Sequence, residues 1–373
     1  MILHQAYRFA LDPSAVQVRA LMSHAGASRM AFNWALGFVN PGSCTFTTGT
    51  IRVEADRRHV TLPRLGTIRL HESARKLARR LDGGAARIMS ATVKRDGGRW
   101  FVSFACEVDK VVGIPARPDA VVGVDLGVSA LAVLSTGETV ANPKHLEAAR
   151  RQLRRAARRL ARRVGPDKRT KQRPSNRWLL ARADLARAHA RVANLRRDGL
   201  HKLTLRLAST YGTVVVEDLH VAGMIRSRRL GKAIADCGFA TIRQQLSYKT
   251  AWRGGRLVVA DRWLPSSKTC SGCGAVKAKL PLRVRTFTCT ECGIVLDRDL
   301  NAARNLAQLV SVTGTGVAGD PQPQGSNGRG ADRKTRPGGR AAVKRPPGTA
   351  PAGQTGTVPP QGGTSDQALA RAH

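Results

Sequence analysis

Three acidic side chains stand next to apolar segments of the sequence. Asp125 follows the apolar run 121–124, Glu217 follows the run 214–216, and Asp299 precedes a segment with the composition of a helix start. A carboxylate at the end of a buried strand is costly to desolvate unless a cation neutralises it. Asp and Glu supply the oxygen ligands that Mg²⁺ prefers. If these side chains meet, the sequence predicts a site for two Mg²⁺ ions, an arrangement that cleaves phosphodiester bonds.

Each acid also has a structural interpretation when it is taken alone. Asp125 suits a turn before Gly127, Glu217 suits an ion pair at a strand end, and Asp299 suits a helix cap. Asp297 stands two residues before Asp299, so two aspartates compete for the third position. The three acids together, in a strongly basic chain, favour a nuclease.

The cysteines divide into two groups. Two Cys-x-x-Cys pairs are separated by 15 residues, and they consist of Cys270 and Cys273, then Cys289 and Cys292. This spacing is typical of a zinc ribbon, in which four thiolates leave no open position on the metal, so we predict one structural Zn²⁺. The remaining cysteines are predicted to be small core residues: Cys44, Cys106 and Cys237.

The net charge indicates the class of partner. Lys and Arg number 63 against 25 Asp and Glu, which leaves a formal charge of +38. Such a surplus repels itself unless a polyanion lies against it, and nucleic acid is the polyanion that basic grooves bind. The sequence has no 18-residue apolar run and no secretory signal. We therefore expect a cytoplasmic, nucleoid-associated protein with no membrane contact.

The elements that must position these side chains form successive segments. The first is a strand and a helix followed by β-type runs, which predict a small barrel or antiparallel sheet with a hairpin around residues 91–104. From residue 120 onward, buried strands alternate with helices, which is typical of an α/β domain. The predicted boundaries are 1–113, 114–268, 269–294 for the ribbon, 295–311, and 312–373 for a disordered Gly- and Pro-rich tail.

A basic helical hairpin is predicted at residues 144–207. Leu146, Leu153 and Leu160 recur at heptad spacing, and a second helix shows the same interval. Runs of arginine without interleaved acids destabilise a bare helix, so a track for the phosphate backbone explains them better than a solvated face. The residues predicted to bind nucleic acid are Arg151, Arg155, Arg158, Arg162, Arg182 and Arg187.

Four segments of the chain resemble one protein family. They are Gly-Val-Asp-Leu-Gly at 123–127, Val-Glu-Asp-Leu at 216–219, the four-cysteine ribbon, and Asp-Arg-Asp-Leu-Asn-Ala-Ala-Arg-Asn at 297–305. In order and spacing they resemble the RuvC-like nuclease of TnpB (OrfB) proteins, which transposons encode and which are related to type V CRISPR effectors. The resemblance extends over most of residues 4–309.

The resemblance implies a fold and an activity. The fold would be a ribonuclease H-like (RuvC) α/β domain with a helical hairpin insertion and an inserted zinc ribbon, preceded by a small β-rich, barrel-like domain. The activity would be that of an RNA-guided DNA endonuclease with a guide RNA, a target DNA and two catalytic Mg²⁺ ions. The family's catalytic acids carry over to Asp125, Glu217 and Asp299, because its third acid stands two residues before the Asn.

One departure from the family keeps alternatives open. Leu36 is followed almost at once by Gly42 and strands, so the helices that form the family's recognition lobe are largely missing. An internally deleted, inactive derivative or a noncatalytic nucleic-acid-binding protein is the alternative. A strand transferase is disfavoured, because none of Tyr7, Tyr211 and Tyr248 stands beside paired histidines. Whether the chain forms a homodimer is left open.

Overall fold

The computed structural model describes most of the chain as far as Val312. The described residues are 1–35, 43–167, 169–281 and 283–312. Of residues 27–35 and 311–312 it describes the backbone alone, and the predicted tail after Val312 lies outside the described residues. No helix in the described ranges is long and apolar enough to cross a membrane.

The N-terminal part consists of two antiparallel sheets around one core. Its elements are β1 (Ile2–Leu11), α1 (Ala15–Ala35), β2 (Ser43–Phe46), β3 (Arg52–Val53), β4 (His59–Leu62), β5 (Gly66–Arg69), α2 (Arg75–Asp82), β6 (Ala86–Asp96) and β7 (Arg99–Asp109). The strand orders are β1-β7-β6-β2 and β3-β4-β5. Of the two predicted forms, a small barrel or an antiparallel sheet, the described residues form antiparallel sheets that are not closed. The short β2 pairs with one end of β6 alone, so the edge strands do not close.

Two local sequence features determine the structure of this part. Gly97 and Gly98 have positive φ angles of 57° and 87°, which a tight two-residue hairpin turn between β6 and β7 requires. Helix α1 begins with a reciprocal cap: Gln17 N donates to Ser14 Oγ at 3.3 Å, and Ser14 N donates to Gln17 Oε1 at 3.0 Å.

The second part is built on a five-stranded sheet, and it confirms the predicted α/β class. Its strands are β8 (Arg117–Leu126), β9 (Ala130–Leu134), β10 (Thr139–Ala141), β11 (Tyr211–Glu217) and β12 (Arg256–Ala260). The order is β10-β9-β8-β11-β12, with β8, β11 and β12 parallel and the other pairs antiparallel. The carboxyl ends of β8, β11 and β12 therefore lie at one edge of the sheet.

Helices cover both faces of this sheet. They are α3 (His145–Ala148), α4 (Arg150–Ala161), α5 (Asn176–Thr210), α6 (Val221–Ile225), α7 (Gly231–Cys237), α8 (Phe239–Ala251) and α9 (Arg298–Val312). Helices α5, α7 and α8 share a core with one face, whereas α9 packs on the other. Helices α4 and α5 contact each other as the predicted hairpin, although its first helix is interrupted at Ala149 and its second extends to Thr210.

Helix α9 lies directly on strand β8 at Gly123. A Cβ atom at this position would lie 2.0 Å from the carbonyl oxygen of Ala303 and 2.6 Å from the amide nitrogen of Ala307. Only a residue without a side chain permits this approach of two backbones. This contact therefore fixes the distance between α9 and the sheet, and the first turn of α9 lies toward the carboxyl end of β8.

Gly123→Ala is expected to displace α9 and to destabilise the protein. The added methyl group has no space, and overpacking of this kind costs about 1–3 kcal/mol. Gly199→Ala is the matched control, because Gly199 lies in α5 with no atom within 4 Å of its hypothetical Cβ, and it should stabilise the helix by roughly 0.5–1 kcal/mol. Urea unfolding monitored by circular dichroism measures both. Equal stability of the two variants would show that α9 does not contact β8 as described.

Candidate functional site

Asp125 and Glu217 lie side by side on neighbouring parallel strands. Val124 of β8 pairs with Val216 of β11, so the acids that follow them stand at the same level of the sheet. Adjacent strands are about 4.8 Å apart, and successive side chains alternate between faces. Since Val124 and Val216 point into the core shared with α5 and α8, the two acids point to the face that α9 covers.

Asp299 reaches the same region from the first turn of α9. Gly123 lies against the helix between Ala303 and Ala307, and Asp299 precedes Ala303 by one turn. Asp125 follows Gly123 by two residues in the direction of the carboxyl end of the strand. The helix thus carries Asp299 toward Asp125 as a direct result of its packing.

The electrostatics of Asp125 reflect this convergence. Burial, the largest cause, and the neighbouring charges of Glu217 and Asp299 together raise the pKa of its carboxyl from the usual 3.8 to about 8, against a smaller opposing effect of Arg298. Both causes disfavour a negative charge at Asp125. A cation between these carboxylates would remove that penalty, because it neutralises the charges that repel.

Asp297 and Asp299 have different surroundings. Asp297 Oδ1 accepts hydrogen bonds from the backbone N–H groups of Asp299 at 2.9 Å and Leu300 at 3.1 Å, and it caps α9. The side chain of Asp299 is 27% exposed, and its Oδ2 lies 3.7 Å from Arg285 Nη1. Asp297 also affects the pKa of Asp125 less than Asp299 does. The cap thus engages one oxygen of the Asp297 carboxylate, whereas the Asp299 carboxylate lies near Arg285 and has the larger effect on the pKa of Asp125.

Two asparagines that the sequence analysis did not single out fix α9 to the loop before the cysteines. Asn301 Nδ2 donates to Thr269 O at 2.6 Å, and its Oδ1 accepts from Ser271 N at 2.9 Å. Asn305 Nδ2 donates to the carbonyl oxygens of Ser266 and Thr269, each at 2.7 Å. Asn301 and Asn305 are four residues apart, which places them on one face of the helix, and this spacing is the feature of the sequence that could have indicated their shared role.

The same loop also forms a hydrogen bond to Glu217. Ser266 is buried, and its Oγ donates a hydrogen bond of 2.5 Å to Glu217 Oε1. Arg298, also buried, donates from Nη1 to the carbonyl oxygen of Pro281 at 3.2 Å and from Nη2 to Ser267 Oγ at 3.4 Å. The loop 266–271 therefore connects Glu217, α9 and the first cysteine pair.

The four cysteines of the ribbon form a cluster that could hold a metal ion. Their sulfur atoms all lie within 4.8 Å of one another, with Cys270 Sγ 3.5 Å from Cys292 Sγ and Cys273 Sγ 3.6 Å from Cys289 Sγ. In a tetrahedral site with Zn–S bonds of about 2.3 Å, the sulfurs lie about 3.8 Å apart, so the thiolates fit zinc. The cluster is framed by β13 (Thr286–Thr288) and β14 (Val295–Asp297).

Backbone groups favour a thiolate in this cluster. Hydrogen bonds from the backbone of Cys292 and Glu291 lower the pKa of Cys289 to about 7, and Gly272 N donates to Cys270 Sγ at 3.4 Å. A thiolate is the form of cysteine that binds metals. Among the described residues, Asp125, Glu217 and Asp299 do not form a group as tight as these sulfurs, and their like charges repel one another.

The three remaining cysteines are core residues, as predicted. Cys44, Cys106 and Cys237 are 5%, 1% and 1% exposed. Burial raises the pKa of Cys106 to about 11, which favours the neutral thiol. These residues belong to the hydrophobic packing and not to the metal cluster.

The arginines predicted to bind nucleic acid all lie on the surface of the hairpin. Leu153 and Ala156 face inward from α4, and the exposed arginines point away from them. Arg187 forms an ion pair with Asp184, and the guanidinium of Arg182 lies 5.3 Å from the centre of the Trp178 ring. No ion pair is found within the described residues for the others: Arg151, Arg155, Arg158 and Arg162.

Three family models match successive parts of the chain. The OrfB_IS605 model, described as "Probable transposase", matches residues 103–228. A model described as "Cas12f1-like, TNB domain" matches residues 239–306. A "Helix-turn-helix domain" model of the OrfB group matches residues 1–38, where the described residues form β1 and α1.

Curated relatives match most of the chain. A protein of Mycobacterium tuberculosis (strain CDC 1551 / Oshkosh) named "Putative RNA-guided DNA endonuclease" is 42% identical over 320 residues, which are 80% of this chain and 65% of that protein. The chain belongs to the OrfB transposase family. A family member of Streptomyces pristinaespiralis with the same name is 43% identical over 268 residues, covering 71% of this chain and 61% of that protein.

A more distant OrfB family member is found in Escherichia coli (strain K12). It is named "Putative RNA-guided DNA endonuclease InsQ" and is 31% identical over 272 residues, which are 69% of this chain and 63% of that protein. The chain thus spans less than two thirds of the length of each of these relatives. Among solved structures, a chain of the "Cryo-EM structure of the Cas12f1-sgRNA-target DNA complex" gives a TM-score of 0.46 at 16% identity, covering 71% of this chain and 59% of that chain. The family assignment rests on the sequence matches.

The raised pKa of Asp125 predicts a pH-dependent stability. The protonated carboxyl favours the folded state, so the stability it provides is present below pH 4 and is lost as the pH rises toward about 8. The slope is at most about 1.4 kcal/mol per pH unit. In buffer without Mg²⁺ or chelator, the gain in unfolding free energy from Asp125→Asn should grow between pH 5 and 8. Asp119→Asn, an exposed change on the same strand, should show no such trend, and parallel curves for all three proteins would contradict a buried charge at Asp125.

The sulfur geometry predicts about one zinc ion per chain in freshly purified protein. Cys270→Ser should lose the metal together with the order of the ribbon, because binding and local folding are coupled. Cys237→Ser changes a core cysteine outside the cluster and should retain the zinc. Elemental analysis by mass spectrometry measures the content. Wild-type protein without zinc, or Cys270→Ser protein that keeps it, would rule out the predicted zinc site.

Proposed function

We propose that the chain is an RNA-guided DNA endonuclease whose catalytic acids are Asp125, Glu217 and Asp299. The observation that carries the proposal is the geometry of the sheet, in which β8 and β11 pair so that Asp125 stands beside Glu217, while α9 packs on β8 at Gly123 with Asp299 in its first turn. The raised pKa of Asp125 supports it, since gathered carboxylates are typical of a site that binds cations. The names of the relatives from Mycobacterium, Streptomyces and Escherichia support the same activity.

The donor set suits Mg²⁺, since all the proposed ligands are carboxylate oxygens. Two such ions, when bound, supply an activated water and stabilise the departing oxygen of a phosphodiester. The protein's own contribution is to hold the ligands. The sheet sets Asp125 beside Glu217, Ser266 orients Glu217, and the packing of α9 sets the depth of Asp299.

A ribonuclease H-like (RuvC) architecture is part of the proposal. Three features of the sheet support it. Strands β8, β11 and β12 are parallel, Asp125 and Glu217 lie at the carboxyl ends of β8 and β11, and α9 packs on the face to which these acids point. The helical hairpin between β10 and β11 and the cysteine ribbon between β12 and α9 are then insertions into that domain. The domain boundaries predicted from the sequence remain predictions.

The proposed zinc ion has a structural role. Cys270 stands between Thr269 and Ser271, and both of these residues bond to Asn301 of α9. A closed shell of four sulfurs leaves no position for a substrate. Ordering the ribbon would therefore steady the helix that carries Asp299, and would not itself contribute to cleavage.

The proposed partners are a guide RNA and a target DNA. The exposed arginines of α4 and α5 would run along a phosphate backbone, where each contact releases counterions and contributes without reading sequence. Arg151, Arg155 and Arg158 recur at intervals of four and three residues, so they share one face of α4. Base pairing with the guide would then supply sequence recognition.

A second candidate function is nucleic-acid binding without cleavage. Seven residues separate helix α1, which ends at Ala35, from β2, which begins at Ser43. The chain also spans 65% of the length of the Mycobacterium relative. Both observations favour a shortened recognition region, and a protein of this kind would keep its affinity without turnover.

Substitution of the acids tests the proposed function. Asp125→Ala and Glu217→Ala should each lower Mg²⁺-dependent cleavage of DNA by more than about 100-fold, beyond the effect usual for an outer-shell residue. Ser266→Ala should lower it by about 10- to 100-fold, since Ser266 acts through Glu217. Asp119→Ala, at the other end of β8, should cut like wild type.

The protein is assayed with the RNA that copurifies with it, and that RNA is sequenced. A single discrete RNA species together with cleavage supports the guided endonuclease. A random mixture of cellular RNA without any cleavage by wild-type protein supports the noncatalytic candidate. Cleavage that persists at the wild-type rate in Asp125→Ala and Glu217→Ala would rule out this active site.

A further inference from the structure

Trp263 presents its ring to solvent. The residue is 85% exposed. The other tryptophan rings that the structure describes are buried or covered by a neighbour: Trp100, Trp178 and Trp252. A large aromatic surface in water has no stabilising role in the isolated chain, and such residues are enriched where proteins bind other molecules.

The position of Trp263 places it beside the proposed active site. Strand β12 ends at Ala260, which pairs with Glu217. Arg262 Nη2 donates to Asp218 Oδ2 at 2.6 Å, and Ser266 Oγ bonds to Glu217. Trp263 lies between these two contacts along the chain, and it is three residue steps, at most about 11 Å, from Ser266.

Hydrogen bonds to Asp261 fix the backbone of the loop that carries Trp263. Trp263 N donates to Asp261 Oδ1 at 2.7 Å, and Leu264 N donates to Asp261 O at 3.2 Å. Leu264 packs against the core between the sheet and α9. Because the residue after Trp263 is anchored inward and its own amide is fixed by Asp261, the outward position of the ring is a property of the turn.

We propose that Trp263 is a stacking platform for an unpaired nucleobase next to the scissile phosphate. The inference rests on the proposed nuclease site at Asp125, Glu217 and Asp299. Every nucleobase has a flat face that stacks on an aromatic ring, whatever the sequence. In a duplex, neighbouring base pairs cover both faces of each base, so a ring at this position would bind a single strand in preference to a duplex.

Binding of single-stranded DNA tests the platform without depending on cleavage. Trp263→Ala should raise the Kd of the full-length protein for a single-stranded oligonucleotide by roughly 5- to 150-fold, the range that loss of one stacked base produces. Trp263→Phe keeps a ring and should retain most of the affinity. Val111→Ala, at a residue 92% exposed near the opposite end of the sheet, should bind like wild type. Fluorescence anisotropy without divalent ions measures each value, with a duplex of the same sequence for comparison.

An abasic scan locates the stacked base. One base at a time is removed within roughly three nucleotides of the cleaved position, and one such removal should weaken binding by wild-type protein but not by Trp263→Ala. The stacking proposal would be overturned if Trp263→Ala bound single-stranded DNA as tightly as wild type. It would also be overturned if Trp263→Ala lost the same factor in affinity for single-stranded DNA and for the duplex. A change in self-association with unchanged DNA affinity would assign the ring to a protein contact instead and would also overturn it. An error in the proposed nuclease site is recognised separately, because Asp125→Ala would then cut DNA like wild type.

Discussion

The contact of helix α9 with strand β8 is the constraint on which the site depends. At Gly123 the two backbones approach so closely that no side chain fits between them. Asn301 and Asn305 add hydrogen bonds from the same helix to the loop 266–271. Asp299 stands at the start of this helix, so its distance from the sheet is set by packing several residues away.

This arrangement gathers negative charge in a protein that is otherwise strongly positive. The pKa of Asp125 is raised by burial and by its acidic neighbours, which means that folding alone does not favour the arrangement. The cost is consistent with a function in which cations are bound between the acids. Ser266 links Glu217 to the loop that leads to Cys270, and Asn301 and Asn305 bond that loop to α9, so hydrogen bonds connect Glu217, α9 and the first cysteine pair.

Local signals in the sequence predicted much of the fold, because they act over a few residues. The buried strands, the hairpin within residues 91–104 and the clustering of the four cysteines were predicted correctly. The choice between a barrel and an open sheet was left open, since closure depends on whether distant edge strands pair, which periodicity does not encode. The clamp of Asn301 and the exposure of the Trp263 ring also depend on contacts between segments far apart in the chain.

The most direct test of this account is the location of divalent ions in crystals of the full chain soaked with Mn²⁺, which scatters anomalously and replaces Mg²⁺ at oxygen sites. The account predicts two anomalous peaks about 3.5–4 Å apart, bounded by the carboxylates of Asp125, Glu217 and Asp299. Peaks that involve Asp297 in place of Asp299, or an absence of peaks at the carboxyl ends of β8 and β11, would contradict it.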